Sequence, residues 1–380
     1  MWYMTEEREM LRKTVAEFAE NEVRPFVKEM EANETFPMEL VKRAGELGIL
    51  GLGFPEEYGG SGTDWINLGI AIEEIAKVST CAALVIMMSA VGSTLSLQYV
   101  GTDEQKEKIL KPCIRGEQVL AMSLCEPVGS SNTGAYKTKA VQDGDDWIIN
   151  GGKIFCTLAG QCEYYGVMAL TGEYNPATME GATMFLVHKD TPGFSVGHIE
   201  EKLAWAGSST GSLMFDNCRV NKKWILGEVN KGLLAFGSTT MQTYAYLAIL
   251  ALGGAEGIYE KTLKYTKERV HIGGGTLFQN YQVVRYHLTN MYTKIEACRG
   301  LMYNCFELMQ QGRNGVKECM AVKIYAEEVF EEVASMAVNL HGGNGLMVQN
   351  DVERYYRESK MLAVGGFSLD IIREQIAALL

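Results

Sequence analysis

All seven prolines of this chain lie within its first 192 residues, at 25, 37, 55, 112, 127, 176 and 192, and none follows before residue 380. Proline removes a backbone donor and clashes with the preceding turn of a helix. Only the second half is therefore free to build long, unbroken helices. Its hydrophobic spacing agrees. Tyr244 to Val270, Tyr281 to Gln311 and Val316 to Leu340 each have helical composition and period, and together predict an antiparallel bundle. Near the N-terminus, Leu11, Val15, Phe18 and Val23 also follow a 3.6-residue period, Met38 to Leu50 repeats it, and the turn-rich string FPEEYGGSG at 54–62 separates helices. Between these regions the pattern changes. The runs WIIN (147–150), YYGVMAL (164–170), TMFLVH (183–188) and SLMFDNCRV (212–220) are divided by Gly, Asp and Asn turns, which reads as short strands. The expected fold is a multidomain α+β chain: a helical domain over 1–115, a barrel-like β domain over 116–230 and a helical bundle over 231–380.

Several function classes are disfavoured. A net charge of −12 offers no basic footprint for nucleic acid. Nine scattered cysteines and five histidines show no ligand spacing, so no metal site is expected, and the cysteine usage suits a reducing cytoplasm. The N-terminus does not read as a signal peptide. Two uncharged windows, Val78 to Thr102 and Gly232 to Ala255, are long enough to span a bilayer, but their Ser, Thr, Gln and Gly content suits buried core helices, so no membrane span is expected.

Five local features could carry chemistry, and each has a plain structural reading. The small-residue turn Ser123 to Asn132 could receive a polar ring or simply lead into the β domain. Asn150 to Thr157 reads by itself as a hairpin with Phe155 in the core. Arg269, before the flexible His271 to Gly275, could hold a phosphate or answer a helix dipole. His341-Gly-Gly-Asn-Gly345 suits close approach to a diphosphate or a helix cap. Val364 to Ser368 is a turn before the last helix.

Taken in order, FPEEYGGSG, CEPVGSSN (125–132), NGGKIFCT (150–157), KLAWAGSST (202–210), FDNCRV (215–220), KERVHIGG (267–274) with Gln282, NLHGGNG (339–345) and ERYYRESKM (353–361) resemble the acyl-CoA dehydrogenase family of flavoproteins along nearly the whole chain. The resemblance implies that family's three-domain fold with a C-terminal four-helix bundle, a dimer-of-dimers homotetramer, FAD as cofactor, and an electron-transferring flavoprotein as partner. It also implies that Met122 to Ser131 line the flavin, among them Met122, Leu124, Cys125 and Ser131, with Phe155 on the ring face and Thr157 near its N5. Arg269, Gln282, Asn339, Gly342 and Gly343 would reach the diphosphate and adenosine end, partly across a subunit interface. Ser131, Tyr244, Gly365 and Gly366 would border the thioester, and Met87 to Val91 the acyl chain.

The chain departs from the family where proton transfer occurs. The usual glutamate before the last helix is replaced by Gly365, the alternative glutamate position falls near Thr243, and two customary arginines appear as Tyr244 and Ala206. Tyr244, Tyr246 and Asp370 lie near the site on the family layout, with Tyr244 and Asp370 as weak candidates for a catalytic role. Gly365 keeps an N–H that could polarise the thioester. The expected function is thus FAD-dependent redox chemistry on an acyl-CoA or acyl-carrier thioester with unusual proton handling, either reduction of an enoyl-CoA or dehydrogenation of a cyclic or conjugated acyl-CoA. The alternatives are a base-independent, desulfinase-like elimination, a flavin monooxygenase of the same fold, or a catalytically silent FAD- or acyl-CoA-binding subunit.

Overall fold

The computed structural model describes residues 1–129, 135–175, 178 and 180–380, without the side chains of Met87 and Ser93. Its first helix, Glu6–Phe18, starts where the Thr5 side chain accepts from Arg8 N–H and three glutamates fill the first turn, each favourable at a helix N-terminus. Helices continue to Lys111–Ile114. Trp65–Val78 is the central one, buried along most of its length. The apolar stretch Thr80–Val100 is long enough to cross a membrane by length and composition. The chain instead breaks it at Val91 into Thr80–Ala90 and Gly92–Val100, and its described residues are mostly buried in the protein core.

The middle of the chain forms strands β1 (Leu120–Ser123), β2 (Lys139–Asp143), β3 (Asp146–Thr157), β4 (Tyr164–Asn175), β5 (Glu180–His188), β6 (Phe194–Ile199), β7 (Thr210–Asn221) and β8 (Ile225–Leu226). Their order is β6-β7-β3-β2-β4-β5-β8, with β1 added parallel to β4. The β2–β3 and β4–β5 pairs are antiparallel hairpin neighbours, whereas β3 and β7 pair across intervening strands.

The proline-free half holds Thr240–Glu268, Gln282–Gln310, Val316–His341, Glu353–Val364 and Leu369–Ala377. Thr240–Glu268 is buried on every side over its first half, as expected of a helix whose sequence there carries no charge. Two glycines allow its close approach to its neighbours. A Cβ on Gly253 would stand 2.6 Å from Ala76 Cβ, and one on Gly254 2.5 Å from Phe330 Cζ.

Buried polar contacts join the three regions. Trp205, in the loop before β7, has φ +58° and donates from Nε1 to Thr80 Oγ1 at 2.8 Å. Thr80 in turn donates to Glu358 Oε2 at 2.7 Å, and Glu358 pairs with Arg354 at 2.6 Å. One hydrogen-bonded chain therefore runs from the β domain through an N-terminal helix into the C-terminal bundle.

Candidate active site

Strand β3 carries the first group of site residues. Its register against β7 shifts between Lys153 and Cys156, and at that irregularity Phe155 takes φ +55°. A bulge re-aims side chains, and here the ring turns outward, leaving Phe155 57% exposed. The hairpin with a core phenylalanine is thus corrected: Asp146–Thr157 is one strand, and Phe155 lies on its surface. Ile154 N–H donates to Cys125 O at 2.9 Å, which ties the segment with half-buried Met122, Leu124 and Cys125 to this part of β3. Behind it, Lys153 and Glu126 form a buried pair at 2.6 Å. Lys153 also donates to Leu124 O at 3.3 Å, and Glu126 accepts from Thr138 N–H at 3.2 Å. Burial pushes the Lys153 pKa down, against the pull of the Glu126 carboxylate. Thr157 is half-buried opposite Thr210, and its hydroxyl has no partner among the described residues. Ser131 lies outside the described residues. An exposed aromatic, a thioether, a leucine and an unpaired hydroxyl fit a flat ring with apolar faces and a polar edge. The isoalloxazine of FAD is such a ring.

The second group lies at one end of the bundle. Arg269 caps Thr240–Glu268 and is exposed; its guanidinium has no partner among the described residues. Leu277 N–H donates to Arg269 O at 3.0 Å, closing a loop that leads to Gln282, the exposed first residue of its helix. Tyr265 stacks on His341 at 4.1 Å between ring centroids, so the same end also carries exposed Asn339, Gly342 and Gly343. Gly342, at φ +58°, ends its helix in a backbone that favours glycine. Among the described residues, no hydrogen bond or ion pair joins the 269–282 segment to Phe155 or Thr157.

The third group surrounds the loop before the last helix. Gly365 caps Glu353–Val364 at φ −73° and ψ 150°. Its N–H donates to Met361 O at 2.8 Å. The helix end thus takes up the N–H that the sequence offers for polarising the thioester. Gly366 and Phe367, at φ +62° and +79°, have N–H groups with no partner among the described residues. Tyr244 is buried and donates to Gln375 Oε1 at 2.9 Å, while its ring meets Phe367 at 5.8 Å. Burial raises its pKa, partly offset by the Gln375 contact. Thr243 Oγ1 donates to Thr239 O at 2.9 Å. Tyr246 is fully buried against Phe306, and its hydroxyl has no partner among the described residues. Asp370, although only a turn beyond the loop, has a side chain 93% exposed and paired with Arg373 at 2.8 Å. It does not face the site. Behind the loop lie Lys323 and Glu327, both fully buried, which sequence reading missed because a Lys and a Glu four residues apart usually form a surface pair.

Comparison with known proteins identifies the family. The family descriptions "Acyl-CoA dehydrogenase, N-terminal domain", "middle domain" and "C-terminal domain" match residues 5–117, 121–218 and 230–380. A 3-(aryl)acrylate reductase of Clostridium sporogenes is 36% identical over 364 residues, covering 95% of both chains. The caffeyl-CoA reductase-Etf complex subunit CarC of Acetobacterium woodii is 34% identical, again over 95% of both. The solved structure of butyryl-CoA dehydrogenase from Megasphaera elsdenii superposes with a TM-score of 0.93 at 29% identity, covering 99% of this chain and 98% of that one. The chain belongs to the acyl-CoA dehydrogenase family, FAD-dependent oxidoreductases that act on the CH–CH bond of acyl-CoA.

Proposed function

We propose that this protein reduces 2-enoyl-CoA thioesters, drawing electrons from an electron-transferring flavoprotein. The observation that carries this reading is the absence of a carboxylate at both customary base positions: Gly365 has no side chain, and Thr243 turns its hydroxyl to its own helix. Without a resident carboxylate, reduction can take its α-proton from water, leaving hydroxide, whereas oxidation by the reverse of that step needs hydroxide as the base, which is scarce near neutral pH. The two relatives, named as an aryl-acrylate reductase and a caffeyl-CoA reductase subunit, support the same direction, and the latter's complex with Etf supports the partner.

When bound, FAD would supply hydride chemistry at the β-carbon. The chain's own residues would hold it, with Phe155 against one ring face, Met122, Leu124 and Cys125 beside it, and the Thr157 hydroxyl at its polar edge. Ser131 belongs to this set on the family layout. The Gly366 and Phe367 N–H groups are the loop's open donors for the thioester carbonyl, where negative charge builds up, with Tyr244 beside them. In a homotetramer built as a dimer of dimers, a second copy would bring Arg269 and Gln282 to the cofactor's diphosphate end, beside Asn339, Gly342 and Gly343. Arg269→Ala is expected to weaken FAD retention by about 1.5–3 kcal/mol, the usual range for a charge-assisted hydrogen bond. Flavin content after dilution and gel filtration checks this, and full occupancy would remove Arg269 from the site.

The test of the function is single-turnover. Anaerobically reduced protein is mixed with crotonyl-, acryloyl- and cinnamoyl-CoA, and the return of flavin absorbance is followed. Reoxidation by at least one of them, with the saturated thioester as product, is the expected result. No reoxidation by any of the three sinks the reading.

A further inference from the structure

Lys323 and Glu327 stand one turn apart on Val316–His341, both completely buried. The ammonium lies 2.8 Å from Glu327 Oε1 and donates to Phe367 O at 3.2 Å. Among the described residues neither Glu327 oxygen makes a well-formed hydrogen bond, so its contact with Lys323 is an ion pair. Among the described residues, the Phe367 contact is the pair's hydrogen bond beyond its own helix. Desolvating two charges commonly costs more than their attraction returns, and well-packed apolar residues of similar volume often serve stability as well or better. The pair's presence is therefore poorly explained by stability.

Its position explains more. The 365–367 loop is clamped at one end by Gly365 N–H on Met361 O, 2.8 Å, and at the other by Lys323 on Phe367 O. The two unpaired N–H groups, of Gly366 and Phe367, lie between these clamps. Both residues have left-handed backbones, and strain at a non-glycine such as Phe367 persists only where the surroundings impose it. Lys323 holds the Phe367 carbonyl, the Tyr244 ring meets Phe367, and Leu247 Cδ1 lies 2.5 Å from where a Gly366 Cβ would be.

We propose that Lys323, held by Glu327, is a positioning residue that fixes the 365–367 loop so that the Gly366 and Phe367 N–H groups meet the thioester carbonyl. The reaction it serves rests on the reductase reading above; the clamping of the loop does not. Burial raises the Glu327 carboxyl to about 8 and lowers Lys323, each opposed by its partner.

The test compares wild type with Lys323→Met/Glu327→Leu, which removes both charges together, and with Glu327→Gln, which keeps the carboxylate's shape. The double variant should stay folded and FAD-replete. Its kcat for a 2-enoyl-CoA should fall about 10- to 100-fold, the scale of an ångström-sized misplacement, with KM moving much less. Amide exchange over residues 361–372 should quicken, while Thr240–Glu268 is unchanged. Glu327→Gln should show a smaller change in the same two readouts. Should wild type reduce no enoyl thioester, the reductase reading fails, and amide exchange alone still decides the clamp. Unchanged exchange in the loop of a folded variant overturns the proposal, as does a loss confined to KM. If the double variant does not fold, Glu327→Gln decides by the same criteria.

Discussion

Butyryl-CoA and octanoyl-CoA are expected to bleach the flavin of this protein about 10²–10⁴-fold more slowly than they would with a carboxylate in the loop, since that is what a positioned general base contributes. At the two customary base positions, Gly365 and Thr243 offer the α-proton of a saturated thioester no carboxylate. Tyr244 is held above the ordinary tyrosine range by burial, and Asp370 faces solvent. Stopped-flow loss of flavin absorbance measures the rate, and rapid bleaching would mean that a base operates elsewhere. Restoring the group should recover part of the effect. Gly365 sits at φ −73°, which glutamate adopts without strain, although its Cβ would lie 2.8 Å from the Met361 carbonyl oxygen, a backbone contact that the helix end must shift to relieve. Gly366 is less permissive: its φ is +62° and Leu247 Cδ1 crowds the Cβ position at 2.5 Å. A folded, FAD-replete Gly365→Glu protein that gains no α,β-dehydrogenation while enoyl reduction continues would show that residue 365 is not beside the reacting carbon.

The features legible in the sequence were those with a local cause. The proline-free half folds into helices Thr240–Glu268, Gln282–Gln310 and Val316–His341, with ends within a few residues of those implied by apolar spacing alone. The runs at 147–150, 164–170, 183–188 and 212–220 fall inside β3, β4, β5 and β7. What spacing could not supply was pairing between distant segments. β1 is four residues long and parallel to β4, so its signal is too short for a period-2 pattern to register. Phe155 read alone as a core residue because alternation assumes a regular strand, and the β3 bulge breaks that assumption. The hydrogen bonding of the Gly365–Phe367 loop is hidden for a related reason: whether an N–H is free depends on where the preceding helix stops, and sequence does not fix that boundary. Lys323 and Glu327 were invisible because their significance lies in a contact with residue 367, forty-four positions away.

The same limit applies to the polar chain that binds the three regions, and it yields the largest stability effect. Arg354 is buried; it donates to Glu358 Oε1 at 2.6 Å, to Asp351 Oδ1 at 2.5 Å and to Val78 O at 3.0 Å. Arg354→Met would leave Glu358 without its cation in a site where burial already raises that carboxyl's pKa against the pull of Arg354. Breaking a buried pair in this way costs about 3–5 kcal/mol, compared with at most about 1 kcal/mol for an exposed helical pair such as Arg24 with Glu20 at 2.5 Å. Chemical denaturation of the FAD-replete protein should show this difference between Arg354→Met and Arg24→Met. Adding Glu358→Leu to Arg354→Met should recover part of the loss, because much of it comes from the stranded carboxylate rather than from the missing bond. Thr80 and Trp205 lie beyond Glu358 in the same chain, and Trp205 occupies a left-handed backbone that its Nε1 contact helps to hold. A loss of 1 kcal/mol or less for Arg354→Met, or no recovery in the double variant, would mean that this network does not hold the domains in register.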